Sequence, residues 1–71
     1  MTGADLRARL RAGELVLGCF QRIAAPEITE ICAYAGFDVV IVDMEHAATP
    51  EAEAIALIRA ADAAGAQVVL R

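Results

Sequence analysis

Four consecutive residues, Asp43-Met44-Glu45-His46, bring two carboxylates together with the only histidine of the 71-residue chain. A neutral imidazole can accept a proton near pH 7, and neighbouring carboxylates raise its basicity and fix its tautomer. The segment directly follows a strongly apolar run, where a parallel strand would end and where α/β folds carry their functional groups. It therefore predicts proton transfer at His46, the alternative being a hydrogen-bonded or solvated loop histidine. Asp43 and Glu45 would assist it, cap a helix, stay solvated, or ligate a metal ion.

Two arginines follow the other predicted strands. Arg71 follows the last one, and because adjacent parallel strands lie about 4.8 Å apart, its guanidinium is predicted to lie near His46. A base beside a fixed cation suits chemistry on a carboxylate or an enolate, the alternative being an arginine in solvent. Arg22 follows the first strand, and we expect it to be solvated or to pack within its loop.

Short apolar runs alternate with amphipathic segments along the chain, which predicts a helix followed by β-α-β-α-β. The strongest strand signal is Asp38 to Asp43, whose four consecutive β-branched residues are typical of a parallel strand covered on both faces. Thr49 is the predicted N-cap of the last helix, with Pro50 at its first position. The predicted elements are helices over residues 3–12, 26–35 and 50–64 and strands over residues 15–20, 38–43 and 67–71.

This order of elements is the pattern of a parallel α/β fold with right-handed crossovers. Three strands are few for such a fold, since a complete (β/α)₈ barrel takes about 250 residues. A three-stranded sheet would also leave apolar faces and two unpaired edges. We therefore expect residues 1–71 to be a single incomplete domain, either a fragment or a piece that needs partners.

The composition disfavours several classes of function. Ten acidic residues outnumber six basic ones, all arginine, which argues against a nucleic-acid partner. No apolar run approaches the roughly 20 residues of a membrane-spanning helix. Imine chemistry is excluded within these residues because the chain has no lysine. Cys19 and Cys32 are predicted to be free, buried thiols in a reducing cytoplasm.

Three stretches of the sequence carry a family resemblance. Ala35-Gly36-Phe37-Asp38 leads through an apolar strand into Asp43-Met44-Glu45-His46-Ala47, and Val68-Val69-Leu70-Arg71 follows the next helix. In these motifs the chain resembles the HpcH/HpaI family of class II, metal- and pyruvate-dependent aldolases. The resemblance covers essentially the whole chain and about the first quarter to third of a family member. It implies that residues 1–71 are the N-terminal portion, a helix plus β-α-β-α-β, of a (β/α)₈ TIM barrel.

The resemblance also implies an activity. Family members are carbon–carbon lyases that cleave a 4-hydroxy-2-oxo acid to pyruvate and an aldehyde, and they run the reverse addition. By this resemblance, His46 matches the general base and Arg71 matches the residue that stabilises the pyruvate enolate. Asp43 and Glu45 match carboxylates that would contact substrate or hold water. A divalent ion (Mg²⁺, Mn²⁺ or Co²⁺) would stabilise the enolate in place of an imine. Its Glu and Asp ligands are expected beyond residue 71, so we expect the 71-residue chain to be inactive alone.

The implied partners are small molecules, namely an oxo acid, pyruvate and an aldehyde, without nucleic acid or membrane. The full-length protein is expected to be a cytoplasmic homo-oligomer. Two alternatives stay open. A citrate-lyase-like metal-enolate barrel would share the enolate chemistry and add a coenzyme A site on later strands. A non-catalytic, self-associating α/β module would be indifferent to His46→Ala and Arg71→Ala, which in an aldolase would cause large losses in turnover.

Overall fold

The computed structural model describes residues 3–44 and 50–71, so Glu45, His46 and Thr49 lie outside the described residues. The described strands form one parallel sheet in the order β1-β2-β3. This arrangement confirms the predicted α/β class and the β-α-β-α-β order after a first helix. The elements are α1 (Gly3–Arg11), β1 (Gly18–Gln21), α2 (Pro26–Tyr34), β2 (Val39–Val42), α3 (Glu51–Ala64) and β3 (Gln67–Leu70). No helix within these ranges is long and apolar enough to cross a bilayer.

The core lies between the central strand and the two crossover helices. Val40 and Val42 of β2 are completely buried and form a cluster with Leu57 of α3. Side chains alternate along a strand, so these two valines share the face that α2 and α3 cover. Burying each such side chain contributes about 1.5–3 kcal/mol. This cluster therefore holds the crossover helices on one side of the sheet.

The opposite face of the sheet is apolar and more open. Ile41 and Val69 line a groove there together with Leu6 and Leu10 of α1. Val39 of β2 is buried, whereas Val69 of β3 is exposed. The burial of Val39 agrees with the prediction that β2 is covered on both faces. The neighbouring strand β3 has an exposed residue, Val69, on this face.

The first strand begins later than its apolar run. The prediction placed it at residues 15–20, whereas β1 spans Gly18–Gln21. The Leu17 carbonyl oxygen accepts hydrogen bonds from the backbone N–H groups of Asp38 (2.8 Å) and Val39 (3.1 Å). Ladder pairing with β2 starts at the next residue and continues to Gln21. The apolar residues predicted where the first strand lies, but backbone pairing with β2 determines where it begins and ends.

The start of α3 also differs from the prediction. Pro50 is the N-cap rather than the first helical residue, because its backbone is extended (φ −62°, ψ 154°) and its carbonyl oxygen accepts the Ala54 N–H (3.0 Å). The helix ends at Ala64 and is capped by Gly65, whose φ of +87° is left-handed and favours glycine. The Ala66 N–H then bonds back to the Ala61 carbonyl oxygen (2.8 Å).

The two cysteines are free, as predicted, but only partly buried. They come from β1 and α2 and pack against the core cluster. Burial, together with a hydrogen bond with Cys32, raises the pKa of Cys19 to about 11. Cys19 therefore stays a protonated thiol near neutral pH and behaves as a small apolar side chain.

An ion pair fixes α1 to the amino-terminal edge of the sheet. Arg9 donates to both carboxylate oxygens of Asp38, at 3.0 and 3.4 Å, and to the Leu15 carbonyl oxygen at 3.0 Å. The Leu17 N–H also donates to the same carboxylate (3.1 Å). The guanidinium of Arg9, and after it the Leu17 amide, hold the pKa of Asp38 below its ordinary value.

A buried polar pair closes the carboxyl-terminal end of β1. Gln21 and Thr29 are almost inaccessible to solvent. The Thr29 hydroxyl donates to Gln21 Oε1 at 2.7 Å, and Gln21 Nε2 donates to the carbonyl oxygens of Ile23 (2.7 Å) and Ala25 (3.0 Å). Gln21 thereby fixes the loop between β1 and α2, and its polar atoms are satisfied.

We predict that Asp38→Asn destabilises the chain at neutral pH. The depressed pKa of Asp38 means that its stabilising effect is present above the ordinary value of 3.8 and is lost as pH falls through the lower folded-state value. Urea unfolding followed by circular dichroism should give a lower midpoint for the variant at pH 7. The gap from the original chain should close under strongly acidic conditions. Asp62→Asn, an exposed site on α3, is the control; a D38N midpoint no lower than that of D62N at pH 7 would contradict the assignment.

We also predict that Thr29→Val costs about 1–3 kcal/mol of unfolding free energy, because it leaves the buried Gln21 Oε1 without its donor. Valine matches threonine in shape, so the loss reports the hydroxyl. Thr29→Ser keeps the hydroxyl and should cost less than the valine variant. Equal losses in the two variants, measured by urea denaturation, would show that packing of the methyl group matters and the hydrogen bond does not.

Candidate active site

Three polar residues come directly after the three strands, at the same edge of the sheet. The ladder pairs Gln21 of β1 with Val42 of β2, and Val42 with Leu70 of β3. In this register the next row across the sheet consists of Arg22, Asp43 and Arg71. Because side chains alternate along each strand, this row shares the face opposite α2 and α3. The carboxyl-terminal ends of the strands therefore present a carboxylate between two arginines.

Backbone hydrogen bonds fix Arg71 beside Asp43. The Arg71 N–H donates to the Val42 carbonyl oxygen (2.9 Å), and the Arg71 carbonyl oxygen accepts the Met44 N–H (2.8 Å). In a parallel ladder, bonds to the residues before and after a position define its partner, which here is Asp43. The pairing continues one residue beyond the assigned strands and sets the position of Arg71.

A cavity of about 310 Å³ opens at this edge, and among the described residues Phe20, Arg22, Asp43 and Arg71 line it. Asp43 is only 6% exposed, whereas both arginines are exposed. A guanidinium presents a planar fork of donors that matches a carboxylate or an enolate in geometry and charge. The cavity is thus suited to a small anionic ligand.

Of the predicted site residues, the structure describes Asp43 and Arg71 but not Glu45 or His46. It places Asp43 and Arg71 side by side at the ends of their strands. Glu45 and His46 fall in the interval that the structure does not describe, so the predicted approach of Arg71 to His46 stays a prediction. That interval begins directly after Met44, whose N–H bonds to Arg71.

Arg22 lines the same cavity as Arg71 and Asp43. It was expected to be solvated or to pack within its loop, and it lies at an exposed position. Because β1 ends at Gln21, one residue later than predicted, Arg22 directly follows its strand, as Asp43 and Arg71 follow theirs.

The described residues do not by themselves form a metal centre. Within residues 3–44 and 50–71, no three His, Cys, Asp or Glu side chains lie close enough to hold a metal ion. Asp43 is the one carboxylate among the described residues that line the cavity.

Comparisons with known proteins agree on one family. The family model for HpcH/HpaI aldolase/citrate lyase matches residues 16–71. The 4-hydroxy-2-oxovalerate aldolase of Novosphingobium aromaticivorans is 39% identical over 59 residues, covering 83% of this chain and 22% of that protein. The hydroxypyruvate/pyruvate aldolase of Sagittula stellata is 37% identical over 54 residues, covering 76% of this chain and 21% of that protein.

A solved structure gives the same answer for the fold. Citrate synthase SbnG superposes with a TM-score of 0.88 at 39% identity, covering 93% of this chain and 27% of that chain. The chain thus spans about a fifth of the length of the two aldolases and about a quarter of the citrate synthase. The family match covers the strands, the crossover helices and all three residues of the strand-end row. The chain belongs to the HpcH/HpaI aldolase/citrate lyase family.

Proposed function

We propose that this chain contributes to a pyruvate-dependent aldolase, a carbon–carbon lyase that cleaves a 4-hydroxy-2-oxo acid to pyruvate and an aldehyde. The observation that carries the proposal is the strand-end row in which Arg71 is locked by backbone bonds beside the buried Asp43. Similarity to a 4-hydroxy-2-oxovalerate aldolase and a hydroxypyruvate/pyruvate aldolase supports this substrate class. The enzyme would act on small molecules in the cytoplasm as a homo-oligomer, as the family resemblance implies.

Arg71 binds the oxo acid in this proposal and stabilises the enolate that forms from it. Its backbone is fixed by the sheet, and the residue lines the cavity. Donors that are already in place cost little reorganisation when negative charge develops on the oxygen of the enolate. Asp43 orients this guanidinium and, with Glu45, contacts substrate.

His46 acts as the general base. It takes the proton of the C4 hydroxyl, the C3–C4 bond breaks, and the aldehyde leaves. The electron pair of that bond becomes the enolate of pyruvate, and a proton delivered to C3 gives pyruvate. An imidazole suits both transfers, because its ordinary pKa lies close to neutral pH.

A divalent ion (Mg²⁺, Mn²⁺ or Co²⁺) belongs to the proposal through the family resemblance. When bound, such an ion supplies positive charge opposite an enolate oxygen. The described residues offer it no set of three ligands, and we assign no step to it.

A citrate-forming or citrate-cleaving enzyme is the second candidate, favoured by the similarity to citrate synthase SbnG. Such a reaction also passes through an enolate, here that of a thioester, so Arg71 would keep its role of stabilising the negative charge. The two candidates differ in the electrophile, which is an aldehyde in the aldolase and an oxo acid in the citrate enzyme.

A chimera tests the proposal directly. Residues 16–71 replace the matching segment of the Novosphingobium aldolase, and cleavage of 4-hydroxy-2-oxovalerate is followed by pyruvate release. We expect Arg71→Ala to lower kcat about 10²–10³-fold, the usual cost of losing a donor to a developing oxyanion. Arg71→Lys should lower kcat less, since lysine keeps the positive charge but lacks the planar pair of guanidinium donors. His46→Ala should lower kcat about 10²–10⁴-fold.

Arg59→Ala, at an exposed position on α3, is the matched control and should keep the turnover of the unsubstituted chimera. Circular dichroism of each variant separates loss of function from loss of fold. Full turnover in folded Arg71→Ala and His46→Ala chimeras would contradict the proposal, because the segment would then contribute neither residue to catalysis. Release of oxaloacetate and acetyl-coenzyme A from citryl-coenzyme A, with no cleavage of the hydroxy-oxo acid, would favour the second candidate.

A further inference from the structure

Two thiols meet where β1 packs against α2. Cys19 and Cys32 are free and partly buried, and their side chains form a hydrogen bond with each other. We propose that the pair is an oxidative modification site, at which a small-molecule disulfide such as oxidised glutathione reversibly forms a Cys19–Cys32 disulfide. The new bond closes the segment that carries Arg22 into a covalent loop. Neither thiol has a part in the reaction proposed above.

The fold brings the two sulfur atoms together from separate elements. Cys19 pairs with Val40 in the parallel ladder, so its side chain lies on the face of the sheet that the crossover helices cover. Cys32 lies on α2 and packs against the same core cluster. Thiols in hydrogen-bond contact are already near the approach that a disulfide needs, with Cβ atoms about 3.8 Å apart. The register of β1 therefore selects Cys32 as the partner of Cys19.

Helix α2 is held to the sheet at few positions. Thr29 is the only buried residue of this helix, all of which lies within the described part of the chain. It hydrogen-bonds to Gln21 and lies one helical turn before Cys32. On the strand, Cys19 precedes Gln21 by two residues. The disulfide therefore adds a covalent bond beside the hydrogen bond that already joins the same two elements.

The reaction is thiol–disulfide exchange. Burial raises the pKa of Cys19 to about 11, so Cys19 keeps its proton near neutral pH and Cys32 supplies the first thiolate. That thiolate attacks one sulfur of oxidised glutathione, the S–S bond breaks, and a glutathione thiolate leaves. Cys19 then gives up its proton and attacks Cys32 Sγ, which expels the second glutathione thiolate. Two protein thiols lose two electrons and two protons, and one oxidised glutathione becomes two reduced ones.

The bond affects the segment next to the cavity. Residues 19–32 form the closed loop, which includes Arg22, a residue that lines the cavity. A disulfide restricts the unfolded chain and so favours the folded state. It also opposes local separation of α2 from β1, the kind of partial opening that exposes backbone amides. Oxidation therefore stabilises the chain and stiffens the loop that carries Arg22.

Tryptic mapping of the full chain after treatment with oxidised glutathione tests the inference. Trypsin cleaves after arginine, and cleavage at Arg11, Arg22 and Arg59 places the two cysteines in the separate peptides 12–22 and 23–59. Without reductant, these two peptides from monomeric chains should stay joined, and dithiothreitol should separate them. Glutathione adducts or disulfides between two chains as the main products would overturn the inference. This measurement needs no variant.

Thermal unfolding shows whether the fold favours the disulfide or merely permits it. The oxidised chain should have a Tm about 10 °C or more above that of the reduced chain. Cys19→Ala and Cys32→Ala, treated in the same way, should show no such rise. An unchanged or lower Tm of the oxidised original chain would contradict a disulfide that suits the native geometry.

Hydrogen exchange measures the effect on the loop. The amides of Ala25 and Ile28 donate to carbonyl oxygens of Ile23 and Ala25 in the connection from β1 to α2. Oxidation should slow their exchange about tenfold, a larger factor than for the amides of α3. Equal slowing in α3 and in this connection would show that oxidation does not act on the Arg22 loop in particular, and would overturn that part of the inference.

Discussion

The in-register parallel pairing of β2 with its two neighbours is the constraint on which the rest of the structure depends. One row of the ladder joins Gln21, Val42 and Leu70, and the next row places three charged residues side by side. The buried valines of β2 and Leu57 of α3 hold this register from the helical side. A shift of one residue in any strand would turn its side chains to the other face. The site is therefore a consequence of core packing in β2.

The two edges of the sheet use charged residues in different ways. At the amino-terminal edge, Arg9 is bonded to Asp38 and to a backbone carbonyl oxygen, so its donors serve stability. At the carboxyl-terminal edge, Arg22 and Arg71 line an open cavity. This division matches the general behaviour of (β/α)₈ barrels, in which chemistry collects at the carboxyl-terminal face and the opposite face contributes stability. Arginine thus has a structural role at the amino-terminal edge of the sheet and a candidate binding role at the carboxyl-terminal edge.

Most of the architecture could be predicted from the sequence, because apolar periodicity and β-branched runs report directly on burial. The order of the elements, the central strand and the place of Asp43 and Arg71 at strand ends all followed from that pattern. The limits of β1 could not be predicted in this way, because the apolar run includes Leu15 and Leu17, which lie outside the backbone pairing that defines the strand. The place of Arg22 in the row depends on the other end of β1, which lies at Gln21. The roles of His46 and Glu45 stay predictions, because both lie outside the described residues.

The most direct measurement of the central claim is a ¹H–¹⁵N NMR titration of the chain with pyruvate, with the backbone assigned. If the row at the strand ends forms the binding site, the largest shifts will fall on the amides of Arg22, Asp43, Met44 and Arg71. The chemical shifts of the amides around Arg9 and Asp38, at the other edge of the sheet, will not change. Shifts centred on that amino-terminal edge or on the outer surfaces of α2 and α3 would contradict the account, because the ligand would then bind away from the arginines that the parallel register brings together.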